Sequence, residues 1–231
     1  PLLPYEACNL GSLNLAAFHD PSPAGPPVDH INWTLMAEIV EHAVRFLDDV
    51  VEANRYPTPE ICEATLKTRK VGLGVMGFAD LLFKLGVPYD SEEALQLAER
   101  IGVFVRDAAW NASTRLAQSR GPFPAWKGSV WETERGGRLM RNAQVTAIAP
   151  TGTISIIAGC SSGIEPVFSL AFTRQVLGGQ RLVEVNPVFD HVLRDSFHNQ
   201  GAIDAAVAYA AEHGSIQDLD SVPDSLKTIF R

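Results

Sequence analysis

Gln144–Phe172 reads Gln-Val-Thr-Ala-Ile-Ala-Pro-Thr-Gly-Thr-Ile-Ser-Ile-Ile-Ala-Gly-Cys-Ser-Ser-Gly-Ile-Glu-Pro-Val-Phe-Ser-Leu-Ala-Phe, and this segment decides the fold. Val145, Ala147 and Ala149 alternate with Thr146 and Ile148, the period of a short, mostly buried strand. Pro150 has no N–H to give a ladder and ends it. Thr151-Gly152-Thr153 is predicted to be a tight turn in which Gly152 takes backbone angles closed to other residues. Ile154–Ala158 begins a short helix, with Thr151 or Thr153 as its cap. Strand, small-residue turn and helix start bring unpaired N–H groups together, and a helix dipole adds roughly half a positive charge. The turn holds no lysine or arginine. A phosphate would therefore be held by the backbone amides and hydroxyls of Thr151, Gly152, Thr153, Ile154 and Ser155. An ordinary strand-to-helix connection uses the same residue types, and spacing alone leaves both readings open.

The surrounding chain is that of a globular protein. Its 231 residues suffice for one sizeable domain, and 46% hydrophobic with 20% charged residues excludes a disordered chain. A net charge of −8 with no basic run argues against nucleic acid as a partner. No apolar run approaches the ~20 residues that span a bilayer, and nothing resembles a signal peptide. Cys8, Cys62 and Cys160 are odd in number and widely spaced, which fits neither a disulfide framework nor a metal site. A cytoplasmic, thiol-bearing enzyme is expected. The chain opens at Pro1 in the middle of a structured-looking segment and is read as a fragment.

Outward from the central segment, the elements fall in order. Leu10, Leu13 and Leu15, punctuated by small polar residues, give a strand and loop, and Cys8 beside them has the character of a small buried hydrophobe. His19–Asp29 is a proline-rich loop. Met36, Ile39, Val40, Ala43, Phe46, Leu47, Val50 and Val51 mark one face of a strong helix. Glu38, Glu41, Arg45, Asp48 and Glu52 fall on its polar face, with His42 solvated. Thr58-Pro59-Glu60 opens a further helix that carries Cys62 in a structural role. Gly72-Leu-Gly74-Val-Met-Gly77 is a literal G-x-G-x-x-G, but no second strand ending in an acidic residue follows about 20 positions on, so a dinucleotide site is rejected. Instead Asp90-Ser91-Glu92-Glu93 caps an amphipathic helix through Leu116. Gly121–Arg141 is an ordered loop whose tryptophans, with Trp110, lack the interleaved basic residues of a base-stacking platform. Arg181–Val185 is a strand, and helices follow from Asn186 to Phe197, over Ala202–Glu212 and over Pro223–Phe230. His191, His198 and His213 face solvent. This alternation makes the class α/β.

Pro150-Thr-Gly-Thr-Ile-Ser155, followed by Ser161-Ser-Gly-Ile-Glu-Pro166, closely resembles the substrate-phosphate loop of ribonucleotide reductase large chains. Cys8-Asn-Leu-Gly-Ser-Leu-Asn-Leu15 resembles the segment carrying one cysteine of that family's reducing pair, and Arg69–Leu82 resembles a strand-and-helix unit of its barrel. The resemblance covers nearly the whole chain. It implies a single partial domain, residues 1–231, of the ten-stranded α/β barrel. The glycines of Gly72–Gly77 would then permit close packing near the substrate. The resemblance also implies reduction of a ribonucleotide by thiyl-radical chemistry, with Cys8 in the reducing pair and Thr151, Gly152, Thr153, Ile154 and Ser155 on the substrate's phosphates. The thiyl cysteine would lie in an Asn-x-Cys-x-Glu segment before Pro1. The partner of Cys8 would lie outside the chain, so the chain by itself is expected to be inactive. Gly-Leu-Gly-Val-Met-Gly-Phe-Ala-Asp and Ala-Pro-Thr-Gly-Thr-Ile-Ser look most like the class dependent on adenosylcobalamin, with the iron- or manganese-dependent class as the alternative. A ribonucleotide substrate, a thioredoxin-like or other dithiol reductant and a homodimer are the implied partners. A non-catalytic nucleotide-binding module is the other function considered. It would keep the phosphate turn without needing Cys8.

Overall fold

Capping residues written into the sequence set the helix boundaries in the computed structural model, which describes residues 2–175 and 181–230. Asn32 Oδ1 accepts from Leu35 N at 2.9 Å and starts α1 (Trp33–Ala53). Thr58 Oγ1 accepts from Ile61 N at 3.4 Å, and Pro59 is the first residue of α2 (Pro59–Thr68), as expected. Next come α3 (Phe78–Leu85) and α4 (Glu92–Arg120), the latter preceded by Ser91, whose Oγ accepts from Ala94 N at 3.1 Å. The short α5 (Val130–Thr133) and α6 (Gly152–Ala158) lie in the middle of the chain. α7 (Pro187–Ser196), α8 (Gln200–His213) and α9 (Asp224–Ile229) end it, close to the spans the sequence predicts. The strands are β1 (Asn9–Asn14), β2 (Val71–Met76), β3 (Ala171–Gln175) and β4 (Arg181–Val185). Among the described residues no helix is long and apolar enough to cross a membrane.

The chain is organised in two compact units. The first comprises Pro1–Leu13, Asn32–Val75 and Ala98–Ala149. In it β1 pairs with β2, and Leu73 forms a parallel bridge to Thr146. Leu73 N donates to Val145 O at 2.8 Å and Ala147 N returns to Leu73 O at 3.1 Å. The strand expected over Val145–Ala149 is thus one parallel rung, and Ile148 is 71% exposed where a mostly buried strand was expected.

α1 packs through Met36, Val40, Val44, Leu47 and Val51, while Phe46 and Ile39, expected on the apolar face, are exposed. Asp48, expected on the polar face, is 0% exposed. Its Oδ1 accepts from Arg69 Nε and Nη2 at 3.0 and 2.8 Å and from Asn142 Nδ2 at 2.9 Å. Its Oδ2 lies 3.3 Å from both Arg120 Nη1 and Arg141 Nε. A buried charge persists only when it is paired and hydrogen-bonded like this. Arg69 itself takes left-handed angles (φ 50) at the entry to β2, locked there by Asp48 and by Glu52 at 2.6 Å.

Trp110 lies under the guanidinium groups of Arg106, Arg135 and Arg138, at 5.3, 5.0 and 5.7 Å from the ring centre. Arg106 from one turn earlier and Arg135 and Arg138 from farther along the chain stack on this ring, so it packs within the protein, the role the sequence expects.

The second unit comprises Asn14–Ile31, Met76–Leu97 and Pro150–Arg231. β3, which the sequence pattern did not reveal, pairs antiparallel with β4 in the register Ala171↔Val185 to Gln175↔Arg181. Phe189, Leu193, Ala206 and Ala210 are fully buried between α7 and α8. The Phe230 ring lies 4.6 Å from that of Phe83 and 5.0 Å from that of Phe189. His191, His198 and His213 are exposed, as expected.

Candidate functional site

In the turn of the second unit the left-handed residue is Thr151 (φ 57, ψ 27), not Gly152 as expected. A β-branched residue rarely adopts these angles. Here Gly163 N donates to Thr151 Oγ1 at 2.7 Å and holds the conformation. The hydroxyl is thereby committed to Gly163, and α6 has no side-chain cap, contrary to the expected role of Thr151 or Thr153. Gly152 instead opens the helix, and a β-carbon built on it meets nothing within 4 Å. Ser155 N closes the first helical bond, to Thr151 O at 2.9 Å. The N–H groups of Gly152, Thr153 and Ile154 precede that bond and, like those of any first turn, have no partner within the helix. All three residues are exposed. Ser155 is buried and its hydroxyl lies 3.0 Å from that of Ser162. The turn thus offers three N–H groups without a partner in the helix, beside a glycine with open space around it.

The loop after α6 borders a groove of about 540 Å³ in the same unit. Ser155, Cys160, Ser162, Glu165, Phe168 and Phe172 are among its lining residues. Burial, with Asp80 nearby, pushes the Cys160 thiol up to about 11.

Cys8 lies in the first unit, on the approach to β1. Burial raises its thiol above the ordinary range, Lys70 opposes this and Glu6 adds to it. Lys70 Nζ is 2.6 Å from Glu6 Oε2, and Thr68 Oγ1 donates to Glu6 Oε1 at 2.6 Å. Cys8 is accordingly a protonated thiol at neutral pH, suited to giving up hydrogen rather than to nucleophilic attack. Cys62 lies on α2, half-buried.

The G-x-G-x-x-G glycines each meet a different neighbour. A β-carbon on Gly72 would come within 2.6 Å of Leu10 Cδ2, 3.0 Å of Ala147 Cβ and 3.5 Å of Cys8 Sγ. On Gly74 it would meet the Ala147 carbonyl oxygen. On Gly77 (φ 73) it would lie 2.5 Å from Asn14 Oδ1. The motif is therefore explained by packing.

Sequence reasoning assigned no role to Asp80, which is 1% exposed. Its Oδ2 accepts from Ser161 N at 2.6 Å and its Oδ1 from Asn186 Nδ2 at 2.8 Å. These partners are distant in sequence and leave no local signal.

The comparisons with known proteins identify the family. The family described as ribonucleotide reductase, barrel domain, matches residues 1–137 and 134–231. The chain belongs to that family, and the expected α/β barrel class is borne out. Among its members it is similar to the vitamin B12-dependent ribonucleoside-diphosphate reductases of Thermoplasma acidophilum, at 49% identity, and Mycobacterium tuberculosis, at 48%. Both alignments cover 100% of this chain but only 28% and 31% of those proteins. The Actinobacillus ureae class Id ribonucleotide reductase alpha subunit has a similar fold, with a TM-score of 0.69 over 97% of this chain and 38% of that one, at 24% identity.

Proposed function

We propose that this chain is the part of a ribonucleotide reductase that holds the substrate's phosphates and supplies one of the two reducing thiols. The observation that carries the reading is the turn itself. Gly152, Thr153 and Ile154 are exposed and their N–H groups have no partner within the helix, with open space over Gly152 and no cation inside the turn. Backbone donors of this kind bind the phosphate common to all nucleotides and ignore the base.

In the proposed reaction a thiyl radical on another cysteine takes the 3′ hydrogen of the ribose and later returns it. The 2′ hydroxyl leaves as water. Cys8 and a partner cysteine supply the two electrons and two hydrogens, ending as a disulfide that a dithiol reductant such as a thioredoxin-like protein reduces again. The half-buried, protonated state of Cys8 supports this role. A single barrel domain, a homodimer and a cytoplasmic enzyme complete the proposal. Adenosylcobalamin, which the relatives' names point to, would generate the radical. No described residue is assigned to its binding. The groove beside α6, and a second of about 550 Å³ between α1 and α4 with Arg100 and Glu41 on its walls, are of the size that takes a drug-sized ligand. No step above is assigned to them.

Two variants of the complete enzyme test the reading. Gly152→Val should weaken nucleotide binding by about 1–3 kcal/mol, the scale of hydrogen bonds to a charged group, and leave nucleoside binding unchanged. Cys8→Ser should abolish multiple turnover and leave nucleotide affinity unchanged. Equal nucleotide affinity in a folded Gly152→Val protein would mean that the phosphates are held elsewhere.

A further inference from the structure

The left-handed Thr151 is held by a loop, and the loop is held by something else. Gly163 N reaches Thr151 Oγ1 at 2.7 Å, and Ser162 Oγ reaches Ser155 Oγ at 3.0 Å, so Ser161–Gly163 acts as the template against which the turn is shaped. Three hydrogen bonds fix Ser161 to the start of α3. Gly77 N donates to Ser161 O at 2.7 Å, Asp80 N to Ser161 Oγ at 3.3 Å, and Ser161 N to Asp80 Oδ2 at 2.6 Å. The second oxygen of Asp80 accepts from Asn186 Nδ2 at 2.8 Å. The amide of Asn186 is itself oriented, because its Oδ1 accepts from Val188 N and Phe189 N at 2.9 and 3.0 Å at the start of α7. Asp80, itself buried, therefore ties α3, the Ser161–Gly163 loop and α7 together with both of its oxygens.

We infer that Asp80 is a positioning residue for the phosphate turn, setting Thr151–Ser155 through Ser161–Gly163. The inference rests on the proposed phosphate role of that turn. One oxygen of the buried carboxylate holds the loop through Ser161 N and the other is held by Asn186, so the loop is fixed against both α3 and α7.

The chemistry of the pair supplies a test that bulk destabilisation cannot imitate. An amide at position 80 offers one acceptor where the carboxylate offers two. Whichever way it turns, either Ser161 N–H or the Asn186 amide faces an NH₂ group, and Asn186 cannot turn round without losing both bonds from α7. Combining Asp80→Asn with Asn186→Asp repairs the mismatch. The amide at 80 then accepts from Ser161 N and donates to the carboxylate at 186, which still accepts from Val188 and Phe189.

In the complete enzyme, Asp80→Asn should raise KM for the nucleotide about tenfold, with kcat within about threefold of the parent and nucleoside affinity unchanged. The exchanged pair should bring KM back to within about threefold of the parent. Unchanged KM for Asp80→Asn, equal losses for nucleotide and nucleoside, or an exchanged pair that restores nothing would overturn the positioning role. If Asp80→Asn does not fold, Ser162→Ala takes its place: it should weaken nucleotide binding selectively through the Ser155 contact, and unchanged affinity would overturn the proposal. Gly152→Val separates the two readings. If it weakens nucleotide binding while Asp80→Asn does not, only the positioning role falls. If it has no effect, the phosphate reading falls and the positioning role with it.

Discussion

The segments Arg69–Gly77 and Thr151–Gly163 begin alike. Each starts with a non-glycine residue in left-handed angles, Arg69 at φ 50 and Thr151 at φ 57, and each carries glycine soon after. Their surroundings then diverge. Arg69 is 3% exposed and locked by Asp48 and Glu52, and the glycines that follow have neighbours where a side chain would go. Thr151 is held by a hydrogen bond from Gly163, and Gly152 faces empty space. Glycine in the first segment answers to the protein's own packing. In the second, packing gives no reason for Gly152, and the proposed phosphate site would use the space it leaves.

Stability measurements on the complete protein can break this contrast. Asp48→Ala should cost the most, about 3–5 kcal/mol, because it removes the buried carboxylate shared by Arg69, Arg120 and Arg141 and leaves Arg69 only Glu52 as a carboxylate partner. Denaturant midpoints would show it, and a loss below about 1 kcal/mol would mean the cluster is not what locks β2. Gly74→Ala should cost about 2 kcal/mol or more, since its methyl group is driven into the Ala147 carbonyl and the Leu73 rung must shift. Gly152→Ala should change stability by no more than about 0.5 kcal/mol, having only open space to fill. Equal losses for Gly74→Ala and Gly152→Ala would erase the distinction between the two segments.

Much of the architecture was legible because it is encoded locally. Thr58-Pro59 and Asn186-Pro187 announce their helices within four residues, and the spacing of Met36, Val40, Leu47 and Val51 marks the buried stripe of α1. What was missed depends on partners far along the chain. Asp48 lies on that same stripe, but only Arg69, Arg120 and Arg141, brought in from elsewhere, make its burial tolerable. Gly152 was the natural choice for the left-handed position on propensity, and a hydrogen bond from Gly163 moved it to Thr151. β3 was hidden because Ala171–Gln175 shows no clean alternation and is recognised by its pairing with β4. For the site, the turn and Cys8 were picked out by resemblance to a known family, whereas the role of Asp80 depends on contacts with Ser161 and Asn186 that leave no trace in its neighbourhood.

The raised Cys160 thiol has a consequence for exchange chemistry. Only thiolates attack disulfides, and with a pKa of about 11 roughly one part in ten thousand of Cys160 is ionised at pH 7. In a protein whose proposed cycle makes and breaks a disulfide at every turnover, a cysteine kept this inert is a bystander. So small a thiolate fraction slows its attack on an oxidised pair or on a mixed disulfide with the reductant. Asp80, by adding its charge to the burial of that thiol, helps to keep the electron traffic on the intended sulfurs.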